Sequence, residues 1–271
     1  MKNIIHKMNF RKPAIAGFLF LSLLFTANIY SQTGWYLSSS VQLSGGQFLS
    51  DSYTRIFSVY GSVRYQGDGF GITASIPFVN NNGNSVSQSN GMMVPSGTNN
   101  TSSTTIQNNM NFGIGDLYGY FDYEIYSDFE NDLEVYLNAQ VKIPTASSML
   151  NFGTGVLDYG GSISARKSFG SFIGVVDLGY LDIGDPDGIT YKNPFTYGIG
   201  IGKFFNYGEY SLLLYYSGYT KILDDYNAPQ QISLGANYRL NETIILSFIG
   251  SAGLGNLMPD FTTSIGARFK L

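Results

Sequence analysis

The side chains able to do chemistry are few, and their types are narrow. The 271-residue chain holds 19 Asp and Glu, 15 Lys and Arg, a single His and no Cys. The His is His6, inside a stretch that reads as a removable leader. Beyond it there is no thiolate or imidazole metal site, no Cys nucleophile, no disulfide and no His-based triad. Ser and Asp are plentiful, but a nucleophilic Ser needs an acid–base partner, and no imidazole remains to serve. The segment Asp182–Gly188 has the oxygen donors of a calcium loop. Ile183 stands at the first ligand position and Pro194 at the last, which excludes an EF-hand. Gly198, Gly200 and Gly202 alternate, but no helix follows them, so they do not form a dinucleotide loop. Glycine at every second residue leaves lumen space or lets a strand bend. No catalytic residue, metal or cofactor is expected, and the chain reads as a non-enzyme.

What remains is charge arranged along strands. In 132–144, odd positions such as Leu133, Val135, Leu137, Ala139, Val141 and Ile143 are apolar. The even positions are Glu134, Tyr136, Asn138, Gln140 and Lys142. A period of two sustained over eleven residues is a strand with one apolar and one wet face. The preceding segment offers Asp116, Tyr118, Tyr120, Asp122 and Glu124 on its wet face. A turn at 127–131 would set residues summing to about 258 opposite one another. That register pairs Asp116 with Lys142, sets Glu124 beside Glu134, and puts Arg166 diagonal to Glu134. Arg64, Asp177, Arg239, Arg268 and Lys270 complete the candidate lumen-lining set, with Arg239, Arg268 and Lys270 forming a basic side. Acid on one wall and base on the other would select polar solutes; the same charges, paired, would fill a narrow lumen. By parity Ile173, Val175, Leu181, Leu213, Tyr215, Ile245 and Ile249 also point inward, an apolar wall that hints at hydrophobic cargo.

The elements that must position these groups repeat along the chain. Twelve alternating segments fall near 34–44, 55–66, 69–79, 113–126, 132–144, 158–168, 171–183, 195–206, 209–221, 230–240, 243–254 and 260–271. Most span 11–14 residues, longer than an average globular strand of ~5–6 and close to what a tilted membrane strand requires. Every second connection is a few residues, as at Gly67-Asp68, Phe169-Gly170 and Asn241-Glu242, while the others are longer. Short turns on one side and long loops on the other match the periplasmic and outer ends of a membrane barrel. Aromatics cluster at segment ends: Tyr65, Phe70, Tyr123, Phe172, Phe205 and Tyr210 near short turns, Phe78, Tyr159, Tyr180, Phe195, Tyr197 and Phe261 near long loops. Two such girdles suit the two membrane interfaces. The fold expected is all-β: one closed antiparallel transmembrane barrel of about 12 strands. Closure requires 260–271 to pair with 34–44, because an open edge in hydrocarbon leaves backbone groups unpaired at several kcal/mol each.

Two further segments are set apart by composition. Residues 1–31 carry Lys2, Lys7, Arg11 and Lys12 ahead of the apolar Ala14–Thr26, the pattern of a signal peptide with cleavage after Ser31. Residues 32–271 then form the barrel, in the outer membrane of a diderm bacterium. The chain is acidic, with a formal charge of −4 that leader removal deepens, which argues against nucleic acid as partner. Residues 80–112 are polar, and no Asp, Glu, Lys or Arg occurs from Gly69 to Gly115. The composition favours a disordered extracellular loop over one folded into the lumen, where Met92, Met93, Val94 and Met110 would anchor it.

From residue 113 onward the chain resembles the bacterial outer-membrane transporter family labelled after the meta-pathway of phenol degradation. The residues carrying the resemblance are Gly113-Ile114-Gly115-Asp116-Leu117, Val141-Lys142-Ile143-Pro144-Thr145, Gly153-Thr154-Gly155, Asp158-Tyr159-Gly160, Tyr197–Gly202, Ile232–Leu240 and Gly266-Ala267-Arg268-Phe269. The resemblance implies a porin-like channel, with small hydrophobic or aromatic compounds as candidate cargo. The family's name reflects genetic neighbourhood, so phenol itself is not carried over. Expected partners are outer-membrane lipid, a small-molecule cargo and the barrel-assembly machinery during insertion. The expected function is passive passage of small solutes; a structural or adhesive barrel with a plugged lumen is the alternative.

Overall fold

The computed structural model describes residues 33–47, 53–81, 86–95, 112–146 and 153–271. The leader and Met110 lie outside the described residues. Twelve long strands make one sheet: β1 (Gly34–Gln47), β2 (Tyr53–Gln66), β3 (Phe70–Asn81), β7 (Leu117–Asp128), β8 (Leu133–Ile143), β9 (Asp158–Phe169), β10 (Phe172–Asp182), β11 (Phe195–Phe205), β12 (Tyr210–Tyr219), β13 (Gln230–Arg239), β14 (Ile244–Gly253) and β15 (Phe261–Lys270). Each pairs antiparallel with its neighbour in sequence, and β1 pairs with β15 from Tyr36 opposite Lys270 to Gly45 opposite Phe261. The sheet is a closed 12-stranded antiparallel barrel. Three short strands lie outside this count: β4 (Val86–Ser89) and β5 (Met92–Pro95) pair with each other, and β6 (Phe112–Ile114) pairs with the outer end of β3.

The alternation in sequence becomes two faces. Every long strand places a large apolar side chain on the outside near its middle. These are Val41, Val63, Ile72, Phe121, Leu137, Ile163, Leu178, Ile199, Leu214, Leu234, Phe248 and Ile265, all exposed. Intervening residues are buried inside; on β2 they are Thr54, Ile56, Ser58, Tyr60 and Ser62. A folded chain that buries Ser and exposes Leu and Ile is solvated by hydrocarbon, not water. Aromatic contacts fasten the ends: Trp35 on Tyr65 at 5.0 Å and Tyr65 on Phe70 at 6.0 Å toward the short turns, Tyr180 on Phe195 at 5.4 Å toward the long loops. Turns need the left-handed region only locally. Gly170 between β9 and β10 adopts φ +63°, which suits a residue without Cβ.

One register differs from expectation. On β7 and β8, Tyr118 lies opposite Lys142 and Glu124 opposite Tyr136; beyond them a bulge between Glu124 and Tyr126 shifts the ladder by one residue. Asp116 therefore precedes the paired stretch instead of facing Lys142, and Glu124 does not face Glu134. Arg166 sits directly opposite Glu134, not diagonal to it. The turn sets the pairing: it falls at 129–132, so Asp128 faces Leu133 and partners sum to 261 beside it, and the bulge then lowers the sum to 260.

Candidate functional site

The candidate site is the lumen, and a hairpin packs into its outer mouth. Within the segment expected to be disordered, β4 and β5 fold back into the barrel around Asn90-Gly91, whose φ values of +49° and +81° are those of a tight two-residue turn. Met92, Met93 and Val94 are fully buried. Met92 and Val94 pack with Leu181, Ile183, Tyr191, Tyr219, Ile222 and Met258 in one apolar cluster. The hairpin backbone is caught from three sides. Tyr219 Oη donates to the Asn90 carbonyl at 2.8 Å, Tyr191 Oη to the Pro95 carbonyl at 2.9 Å, and Met93 N–H to the Leu257 carbonyl at 2.9 Å. Burial of these apolar side chains and pairing of these backbone groups together outweigh the entropy that an uncharged, polar loop would otherwise keep.

Asp158, at the start of β9, holds that hairpin. Its carboxylate accepts from Ser89 Oγ at 2.6 Å, Asn90 Nδ2 at 2.8 Å and Gly184 N–H at 3.0 Å, and pairs with Lys142 Nζ at 2.6 Å. Lys142 also donates to Thr154 Oγ1 at 2.6 Å and to Ser89 Oγ at 3.2 Å, and lies 3.9 Å from Asp116. Lys142, Asp116 and Asp158 are each about 1% exposed at the side chain. Charges so deeply buried persist because each is paired and hydrogen-bonded. Burial raises the Asp116 carboxyl above the ordinary carboxylate range, against the opposing pull of Lys142 and the Ala146 N–H. Asp158 is the principal residue absent from the candidate set. Its signal was the parity of β9, which turns it inward beside Lys142, combined with an Asn-Gly turn in the loop.

Deeper in, one wall is polar. Arg64 on β2 grips Asp122 on β7 through both guanidinium nitrogens, at 2.8 and 3.0 Å, and also donates to Gln66 and Thr73. Such a two-pronged pair fixes orientation as well as charge. Tyr118 and Tyr120 are buried and stack at 6.3 Å. Asn138 donates to Ser164 Oγ at 2.7 Å, and Gln140 is partly covered on the same face.

The facing wall is apolar, as the inward parity of its strands implies. Ile173, Leu213, Tyr215 and Ile249 are buried and cluster together, with Val175 packed against them. The three alternating glycines of β11 form the floor on which they rest. A Cβ at Gly198 or Gly200 would strike the Tyr215 ring, and one at Gly202 would meet Ile173 at 2.9 Å. Tyr215 of β12 thus lies flat across β11, and its hydroxyl reaches Asp177 of β10 at 2.6 Å. Asp177 also accepts from Ser164. The glycine stripe is occupied by a ring, not left as open lumen.

At the periplasmic end the charges divide. On one side Tyr136 donates its hydroxyl proton between Glu134 at 3.0 Å and Glu124 at 3.1 Å, and Arg166 stands over the Tyr136 ring at 5.2 Å. On the other side Arg239, Arg268 and Lys270 occupy inward positions on β13 and β15, with the Arg268 guanidinium over the Tyr36 ring at 5.4 Å. The candidate residues therefore spread along the bore: Asp116 and Lys142, with Tyr118 opposite Lys142, toward the outer mouth; Tyr120, Asn138, Gln140 and Asp177 midway; and Arg64, which faces Tyr36, with Asp122 and the rest toward the periplasmic end.

In sequence the chain matches no family model and no curated protein. Its shape does find relatives. An outer-membrane channel from Pseudomonas putida F1 superposes with a TM-score of 0.64 at 12% identity, covering 88% of this chain and 96% of that one. A KdgM porin, solved in complex with disordered oligogalacturonate, superposes with a TM-score of 0.51 at 8% identity, covering 87% and 99%. The barrel fold is the one these two proteins share.

Proposed function

We propose that the protein is an outer-membrane channel for passive passage of small, largely apolar or aromatic solutes, with the β4–β5 hairpin as its outer gate. The observation carrying this reading is the inward apolar wall. Ile173, Val175, Leu213, Tyr215 and Ile249 continue, past Asp177, toward the cluster of Leu181, Tyr219, Ile222 and Met258 at the mouth. A barrel interior meant only for ions or sugars gains nothing from aliphatic side chains, because water in contact with them costs free energy. The resemblance to the transporter family labelled after phenol degradation supports the same cargo class, and residues 1–31 are read as the signal that delivers the chain to the membrane. Outer-membrane lipid and the barrel-assembly machinery are the proposed partners of its outer face and its insertion.

The buried Asp158 latch favours one competing reading, a structural barrel permanently plugged. Proteoliposome uptake separates the two. Refolded wild type is compared with a variant in which 86–95 is replaced by a Gly/Ser linker, using benzyl alcohol and glucose as probes. A channel admits benzyl alcohol faster than glucose, and the linker variant admits both faster. Uptake at the rate of empty liposomes by both proteins would establish the plugged barrel instead.

A further inference from the structure

The lumen contains two arginines placed over tyrosine rings, and they differ in one respect. Arg166 lies over Tyr136 at 5.2 Å, directly opposite Glu134 in the β8–β9 ladder, with Glu124 joined through the Tyr136 hydroxyl. Arg268 lies over Tyr36 at 5.4 Å, and no carboxylate among the described residues forms an ion pair with it. The deficit extends beyond one residue. The five consecutive strands β12, β13, β14, β15 and β1 contain no Asp or Glu at all. Arg239 and Arg268 on these strands face the lumen with no ion pair among the described residues.

The register sharpens the arrangement. Arg268 lies opposite Ile245 on one side and Ser38 on the other, and Ile245 lies opposite Arg239. Two guanidinium positions thus flank a single inward isoleucine on one rung, about 10 Å apart at two strand spacings. Tyr36 sits one step nearer the periplasm. Its other neighbour, Arg64, is neutralised by Asp122.

We propose that Arg268, with Tyr36 and Ile245, forms a binding site for small aromatic carboxylates in the periplasmic half of the lumen. The ligand carboxylate stands where Glu134 stands for Arg166, and a charge-assisted, two-pronged contact to guanidinium is the strong form of that interaction. The ligand ring lies against Ile245 and the edge of Tyr36, on the same side of the lumen as Leu213 and Ile249. Arg239 adds a second positive charge to the same rung. The site deepens the channel reading by naming an anionic end to an otherwise apolar cargo, and it rests on that reading only for its role in transport.

Calorimetric titration of the refolded protein in zwitterionic micelles tests it, with benzoate and the neutral benzyl alcohol as probes. Wild type is expected to bind benzoate at least tenfold more tightly than benzyl alcohol. R268M is expected to lose tenfold or more for benzoate with benzyl alcohol unchanged, and R268K to fall between. Heat-modifiable gel mobility verifies folding of each variant, and R268K carries the comparison if R268M does not fold. Benzoate binding that is absent, insensitive to both substitutions, or matched by benzyl alcohol overturns the site. Intact, Arg268-dependent benzoate binding in a protein that conducts neither probe keeps the site and overturns the channel.

Discussion

The outer mouth and the periplasmic half of this barrel use the same chemical groups to opposite ends. At the mouth, Lys142 is enclosed by Asp158 and Asp116, each buried, and Met92 and Val94 of the hairpin pack into an apolar cluster. In the periplasmic half Arg268 lies over the Tyr36 ring, on a wall whose strands carry no Asp or Glu. The difference follows from water. Where the chain supplies its own plug the lumen is dry, and an uncompensated charge there would cost several kcal/mol. Where no plug reaches, Arg268 is half-buried with no carboxylate on its wall, and a solute anion can supply the missing charge. Compensation marks the hairpin end, and its absence marks the one wall around Arg268.

The largest expected effect comes from unmaking that compensation. Asp158→Ala strands Lys142 and three hydrogen-bond donors, and should cost about 3–5 kcal/mol. It should also free the hairpin. With Met92→Cys as reporter, maleimide labelling in liposomes should be blocked in the parent and rapid with Asp158→Ala; equal protection would mean that Asp158 is not the latch. The contrast also presupposes that inside and outside are correctly assigned. Leu137→Arg on the lipid face should cost about 2–4 kcal/mol by urea titration in lipid vesicles, and Gln140→Arg on the same strand much less. Comparable losses would reverse the faces. Asn138 would be a poor lumenal control, since it is 2% exposed and bonded to Ser164. Between the two ends lies the glycine floor. Gly200→Ala would place a Cβ 2.6 Å from the Tyr215 ring and should cost about 1–3 kcal/mol through overpacking. An unchanged urea midpoint would show that the ring has room to shift. The smallest effect is the counterpart of the first. Glu134→Gln at the periplasmic end should cost about 1–2 kcal/mol, because the Tyr136 hydroxyl still donates to Glu124. A loss as large as that of Asp158→Ala would erase the distinction between the ends.

How much of this was legible depended on the range over which a pattern persisted. Strand positions, the sorting of short and long connections, and closure of the last strand on the first follow from alternation repeated for ten residues at a time, with lipid enforcing it. The inward direction of Ile173 or Leu213 was readable from parity alone. The register of β7 on β8 was not, because the turn falls at 129–132 and moves every partner, and a bulge at Glu124–Tyr126 shifts the ladder once more while leaving composition untouched. The hairpin was hidden because strands of four residues carry no periodic signal and composition argued the other way. Only Asn90-Gly91 and the adjacent apolar Met92, Met93 and Val94 marked it. Asp158 was overlooked for a related reason: its partners Ser89, Asn90 and Gly184 are distant in sequence, and no local rule brings them together.

The ring of Tyr215, lying on bare backbone at Gly198 and Gly200, has a consequence for how such a protein can change. The bore at that level is set by one removable phenol, not by the strand beneath it. A single codon exchanging Tyr215 for a small residue would widen the passage by a ring's thickness while the hydrogen-bonded cylinder stays intact, so calibre and architecture are inherited separately.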